Sequence, residues 1–259
     1  MPVHYGSREH NCVTISSTLA TQMPQAAGSA YALKRSGKNA CAVCYFGDGA
    51  ASEGDAHAAF NISATTEAPI VWMCRNNGYA ISTPTKDQYR GDGIAARAYG
   101  YGMYANRFDG NDIFAAFMAS KRAREICIEE QRPVLMEGMT YRAAHHSTSD
   151  DSKTYRENEE EQRWRNEFDP MRRLRVFMER ELLWSEKLET EMRLDAQTQV
   201  DEVARIAQHR LKPHWRDVAN DMYDVMPQRL SKQMEDMEEH LKVYGQEEFY
   251  KMHEYEPKE

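Results

Sequence analysis

Ala42-Val43-Cys44-Tyr45-Phe46-Gly47-Asp48-Gly49 and Ile70-Val71-Trp72-Met73-Cys74-Arg75-Asn76-Asn77 decide how this chain folds. Each is an apolar run of strand length that ends on a hard oxygen donor, Asp48 in one and Asn77 in the other. Between them, residues 50–66 are mostly small and read as one helix. Strand, helix and strand in that order make a parallel βαβ unit, which brings Asp48 and Asn77 to the same carboxyl edge of a sheet. Glycines 47 and 49 let the backbone approach a ligand closely, and a helix beginning near Ala50 aims unpaired N–H groups at it. The chemistry suits a divalent cation carrying a diphosphate. The Asp48 carboxylate, the Asn77 amide oxygen and a nearby backbone carbonyl would fill half of a Mg²⁺ octahedron, with diphosphate oxygens and water completing it.

Working outward, Ser16 to Arg35 reads as a loop entering an Ala- and Gly-rich helix. Tyr104–Phe108 reads as a short strand ended by Asp109-Gly110. Asn111-Asp112 then caps a helix with Ile113, Phe114, Phe117, Met118 and Ile126 at helical spacing. Arg132-Pro133 stops that helix, and Val134–Met139 is the next strand. The expected fold is α/β, a doubly wound, mostly parallel sheet with a C-terminal helical extension. The expected domains are residues 1–151, the α/β part, and residues 152–259, the helical part. Past Asp151, Asp169-Pro170 opens a helix with Leu174, Phe177, Met178 and Leu182 on one face. Further helices are expected from Ser185 to Leu211 and from Leu230 to Tyr250, as a solvated cap or as a surface that docks Trp215, Tyr223, Met226 and Tyr244 on another subunit.

Composition narrows the class. Of 259 residues, 41% are hydrophobic, enough for a core, and the net charge of −8 argues against broad nucleic-acid binding. No apolar stretch approaches the ~20 residues of a membrane span. Five cysteines fit a reducing compartment, and Cys41 and Cys44, inside a strand, read as core thiols. Met1-Pro2-Val3-His4-Tyr5-Gly6 reads as mid-domain loop, so the start of the protein is expected upstream.

Three polar stretches carry the remaining chemistry. Ile15 to Gln22 crowds hydroxyls ahead of a helix, either as a capping turn or as a monovalent-cation loop. Glu53 lies near the start of the intervening helix, where it favours the helix dipole and could support the metal site. Tyr141 to Asp151 contains His145-His146-Ser147-Thr148-Ser149, with a histidine suited to acid/base work or phosphate contact, or else a solvated turn. Ser147 is a candidate phosphoacceptor, because a phosphate there adds roughly two negative charges near a diphosphate site.

The Gly47-Asp48-Gly49 to Asn76-Asn77 pattern resembles the thiamine diphosphate signature. Gly47 to His57, Cys74 to Thr83 and His145 to Asp151 together resemble one family, the α subunit of the branched-chain 2-oxo acid dehydrogenase (3-methyl-2-oxobutanoate dehydrogenase), N-terminally truncated here. The resemblance runs from Met1 to about Tyr244. It implies the thiamine diphosphate-binding fold and oxidative decarboxylation of branched-chain 2-oxo acids with reductive acylation of lipoyl groups. It implies Mg²⁺ on Asp48, Asn77 and the Tyr79 carbonyl, and thiamine diphosphate against Ser17, Leu19, Gly49, Ala50, Arg75 and His146. It further implies K⁺ on Ser16, Thr18, Thr21 and Gln22, His146 as the catalytic histidine, and inhibitory phosphorylation at Ser147. The implied partners are a β subunit in a heterotetramer, which supplies the glutamate that activates the cofactor, a lipoyl-bearing acyltransferase core, and a regulatory kinase and phosphatase. The implied setting is the mitochondrial matrix, although the residues present carry no transit peptide.

The chain departs from the family pattern at Asp48, often Glu in relatives, at Thr18, usually proline, and at Glu157, where relatives can carry a second phosphorylatable serine. The N-terminal segment with a Tyr-Arg pair that clamps the diphosphate is absent from these residues. A pyruvate dehydrogenase-type α subunit and a non-catalytic chain that only binds the β partner are the competing readings.

Overall fold

The computed structural model describes residues 4–220 and 222–245. The chain divides into two compact units, Met1–Leu183 and Trp184–Glu259. The first unit thus extends past the composition change at Asp151 to include two further helices.

In the first unit, helix α1 (Gln22–Arg35) leads into strand β1 (Ala42–Gly47), and α2 (Gly54–Thr65) joins it to β2 (Ile70–Asn76). A small hairpin follows, β3 (Tyr79–Ala80) and β4 (Thr83–Pro84), then short helices α3 (Thr85–Gln88) and α4 (Arg97–Tyr101). Strand β5 (Tyr104–Asp109), helix α5 (Ile113–Glu129) and strand β6 (Val134–Met139) complete the sheet, and α6 (Asn158–Glu167) and α7 (Pro170–Arg180) close the unit. The sheet has four parallel strands in the order β1-β2-β6-β5, as the α/β reading requires. Central β2 and β6 are buried almost throughout, as strands covered on both faces must be, whereas edge strand β1 leaves Val43 and Tyr45 exposed.

The two faces carry separate cores. On one, Met23, Ala27 and Ala30 of α1 and Ala56, Ala59 and Phe60 of α2 pack with Phe46, Trp72 and Leu135. Phe60 meets Trp72 edge-on at 5.4 Å between centroids, and the Trp72 indole donates to Ser63 Oγ at 3.1 Å, so its one polar atom is satisfied. On the other face, Ala123, Ile126 and Cys127 of α5 pack with Val71, Val134 and Met136. Helices on both faces make the sheet doubly wound.

The helix expected over residues 50–66 is broken. Ala50–Ser52 forms a 3₁₀ turn, Glu53 is extended, and α2 starts only at Gly54. The backbone therefore turns twice just beyond Asp48. Cys44 is a core thiol, pushed up to about 12 by burial. Cys41 is only half-buried; a hydrogen bond from Cys127 brings it down to about 7.

The second unit contains α8 (Glu186–His209), capped by Ser185, and α9 (Gln228–Tyr244), with a 3₁₀ turn at Trp215–Ala219. Arg216 of that turn pairs with Glu238 of α9. Tyr223, Met226 and Tyr244 are a little under half exposed and Trp215 is half-buried. The part of the expected last helix beyond residue 245, like residues 1–3, lies outside the described residues.

Phe60→Ala removes the ring that Phe46, Trp72 and Tyr101 all touch. It should cost about 3–5 kcal/mol in chemical unfolding. A loss below about 1 kcal/mol would show that this face is not the core that holds α2 to the sheet.

Candidate metal and diphosphate site

The site is built on the carboxyl edge of β1 and β2. The two strands pair in register up to Gly47 opposite Arg75, so the loops that leave them, at Asp48 and at Asn77, start side by side. Asp48 is 1% exposed, and its Oδ1 accepts the Asn77 backbone N–H at 3.1 Å. Asn77 Oδ1 in turn accepts the Tyr79 N–H at 3.1 Å, an Asx turn that swings the chain through Gly78 at φ +86° into the hairpin. Gly49 faces Ala80 so closely that an added Cβ would lie 2.9 Å from the alanine Cβ. That contact is why a glycine is needed there: the two loops close on each other at this point.

A carboxylate, an amide oxygen and main-chain carbonyls are hard donors, the set a Mg²⁺ ion takes. Among the described residues no cluster of three or more His, Cys, Asp or Glu could hold a metal. A cation at this edge would therefore depend on that mixed oxygen set, and the residues fit one.

Beneath the site lies a second buried carboxylate, Glu137 of β6, which is fully buried. It accepts from Asn76 Nδ2 at 2.7 Å, Ile94 N at 2.9 Å, Ala95 N at 2.8 Å and Arg107 Nε at 2.9 Å. Burial alone would raise its carboxyl. The donors from Ala95, Asn76, Ile94 and Arg107 outweigh that and hold it below the usual glutamate value. Gly93, at φ +70°, makes room: a Cβ there would meet Arg107 Nη2 at 2.3 Å.

The loop after β6 is tied to the hairpin. Arg142 donates to the carbonyl of Ile81 at 2.8 Å, and Ile81 sits at φ +55°, a strained place for a β-branched residue. The same arginine donates to Tyr155 Oη at 2.7 Å, and Tyr155 to Asp150 Oδ2 at 2.7 Å. Asp150 Oδ2 also takes the His146 N–H at 2.7 Å. Buried Arg156 lies over the rings of Tyr79, Tyr141 and Tyr155 at 5.8, 5.1 and 5.9 Å.

Comparison with known proteins places the chain in a family. Residues 1–216 match the dehydrogenase E1 component family. The chain belongs to that family. It is 52% identical over 246 residues to the mitochondrial 2-oxoisovalerate dehydrogenase subunit alpha of Bos taurus, an alignment that covers 95% of this chain and 54% of that protein. The protein of the same name from Homo sapiens is also 52% identical, over 95% of this chain and 55% of its own length. The one from Caenorhabditis elegans is 49% identical, over 94% and 57%. The chain spans about half the length of these curated relatives.

In this E1-component chain the fold joins Asp48, Gly49, Asn77 and Tyr79 directly. Ala50 is buried beside them, and Arg75 is exposed at the end of β2. Ser17 bonds His4, and Gln22 Nε2 donates to the Tyr45 carbonyl at 3.2 Å. Ser16, Thr18 and Leu19 lie exposed in the loop before α1, and Thr21 takes the N-cap position without a side-chain cap bond. His146 and Ser147 are exposed, with Ser147 Oγ 3.4 Å from Ser149 Oγ. The supporting residues were not legible: Gln88, Glu137, Tyr155 and Arg156 lie outside the motifs, and Arg142, inside the Tyr141 to Asp151 stretch, has no local signal that marks its partners. His145 helps to hold this loop, its Nδ1 accepting the Ser152 N–H at 3.0 Å.

Because the Glu137 carboxyl lies lower in the folded chain, its stabilising effect is present above the ordinary glutamate value of 4.5 and is lost as pH falls through the folded value. Glu137→Gln should therefore flatten the acid limb of a plot of denaturant midpoint against pH. An unchanged limb would mean that other carboxylates set the acid stability.

Proposed function

We propose that this chain is the α subunit of a thiamine diphosphate-dependent branched-chain 2-oxo acid dehydrogenase that works in the mitochondrial matrix. The observation that carries the reading is the closure of Asp48 on the Asn77 loop, a hard-oxygen site at the edge where such a sheet takes its ligand. The family and the names of the relatives support it.

Asp48, the Asn77 amide oxygen and the Tyr79 carbonyl would hold Mg²⁺. Arg75 and His146 would face the diphosphate, with Ser17, Leu19, Gly49 and Ala50 against the rest of the cofactor. Ser16, Thr18, Thr21 and Gln22 would hold K⁺. Bound there, thiamine diphosphate supplies the electron sink that lets a 2-oxo acid lose CO₂. The chain's own work is to fix the diphosphate end, neutralise its charge and present His146 as the catalytic histidine for the acyl-transfer step. A β subunit in a heterotetramer would complete the site, and a lipoyl-bearing acyltransferase core would accept the acyl group. A regulatory kinase and phosphatase would act at Ser147, whose exposed loop is held by Asp150, Tyr155 and Arg142. Trp215, Tyr223, Met226 and Tyr244 would lie on the docking side of the helical region, the part after residue 151.

Co-expression with a family β subunit tests the reading. Thiamine diphosphate- and Mg²⁺-dependent decarboxylation should be faster with a branched 2-oxo acid than with pyruvate. Preference for pyruvate would favour the pyruvate dehydrogenase type, and a stable complex without turnover would make this a binding chain only.

Two substitutions probe the site in that complex. Asp48→Ala should weaken Mg²⁺-dependent cofactor binding by at least about 100-fold, beyond what loss of a supporting group costs. Unchanged affinity would remove Asp48 from the metal site. Ser147→Glu should depress turnover through like-charge repulsion beside the diphosphate. A fully active variant would argue against a switch at that serine.

A further inference from the structure

Gln88 is the last residue of α3 and lies 40 positions from Asp48 in sequence, yet its Nε2 donates to Asp48 Oδ2 at 3.1 Å. The amide orientation is forced. The same nitrogen faces the Thr83 carbonyl at 3.4 Å, and Oε1 takes the Ser52 hydroxyl at 3.4 Å. Flipped, the amide would set its oxygen against two acceptors and leave the hydroxyl without one. The excursion that carries Gln88 is itself fastened: Thr85 N donates to the Gly78 carbonyl at 3.0 Å, and Tyr79 pairs with Pro84. One segment, residues 77–88, thus leaves Asp48 at Asn77 and returns to it at Gln88.

The last torsion of an aspartate side chain is soft, so a carboxylate used as a metal ligand must be held by its neighbours. Asp48 has one donor on each oxygen: the Asn77 N–H on Oδ1 and the Gln88 amide on Oδ2. Each oxygen keeps a lone pair for another partner. We infer that Gln88 is a positioning residue for the metal carboxylate: it fixes the rotation of Asp48, with Ser52 and Thr83 fixing Gln88 in turn, and thereby sets the affinity for the divalent cation.

This inference rests on the assignment of Asp48 to the metal site, and the experiment separates the two. In the complex with the β subunit, Mg²⁺ is titrated in the presence of thiamine diphosphate and binding is followed by tryptophan fluorescence. Turnover at saturating Mg²⁺ is measured alongside. Gln88→Leu should raise the Mg²⁺ concentration for half-saturation by about 10-fold, the lower end for loss of a group that orients a metal ligand. Turnover at saturating Mg²⁺ should stay close to that of the parent protein, a split that a general structural role would not produce. Gln88→Met keeps the length of the side chain and should give the same shift, so a folding failure of the leucine variant would not hide the effect. An unchanged half-saturation in both variants, with Asp48→Ala still losing Mg²⁺ dependence, would overturn the role of Gln88 alone. Retained Mg²⁺ dependence in Asp48→Ala would overturn the site and the inference together.

Discussion

The buried carboxylate of Glu137 is the constraint on which the sheet edge depends. A charge fully removed from water is tolerable only when its lone pairs are taken up, and here four donors from three separate places do so. Asn76 belongs to the end of β2, Ile94 and Ala95 to the loop before α4, and Arg107 to edge strand β5. One side chain on β6 therefore fixes the direction in which the chain leaves β2, one residue before Asn77. Arg107 also pairs with Asp92 at 2.9 Å, which holds the outer side of the same loop. A buried network of this kind rigidifies when every member is satisfied.

Around Asp48 the contacts close into a ring. Asn77 and Gln88 bind its two oxygens, and Ser52 reaches Gln88 from the 3₁₀ turn. Arg97 donates to the Ala51 carbonyl at 2.5 Å and lies over Tyr89, whose hydroxyl meets Asn76 Nδ2 at 3.3 Å. Through Asn76 the ring joins Glu137. On its other side, Tyr79 carries the Asn77 turn to the loop after β6, where its ring faces Arg156 and stands 6.1 Å from Tyr155. Burial, and then the Glu160 carboxylate that accepts its hydroxyl at 3.3 Å, raise the Tyr79 phenol and keep it protonated. The loop that carries His146 and Ser147 is thus coupled to the Asp48 edge by packing and hydrogen bonds rather than by sequence proximity.

The sequence made the framework readable because its signals were local. Apolar runs at 42–46, 70–74 and 134–139 have strand length, Asp112 and Asp169 are caps that accept from N–H groups of the following turn, and the sheet is parallel as the alternation implied. Asp48 and Asn77 were legible because each ends such a run. The break at Glu53 was not: small residues are compatible with a 3₁₀ turn and with a helix, and nothing in their spacing distinguishes the two. Gln88, Glu137 and Arg156 escaped for a related reason. Their partners are 40, 61 and 12 residues away in the bonds to Asp48, Asn76 and Ala144, distances over which a sequence carries no periodicity. Glu137 in particular sits in an apolar strand, where its charge reads as an anomaly until its donors are seen.

Asp48, Asn77 and Tyr79 are proposed to form one cation site. The most direct measurement is anomalous diffraction from crystals of the complex with a β subunit, grown with thiamine diphosphate and with Mn²⁺ in place of Mg²⁺. An anomalous peak should lie within coordination distance of the Asp48 carboxylate, the Asn77 amide oxygen and the Tyr79 carbonyl. Cofactor bound with the peak elsewhere, or with Asp48 turned away from it, would rule out this site.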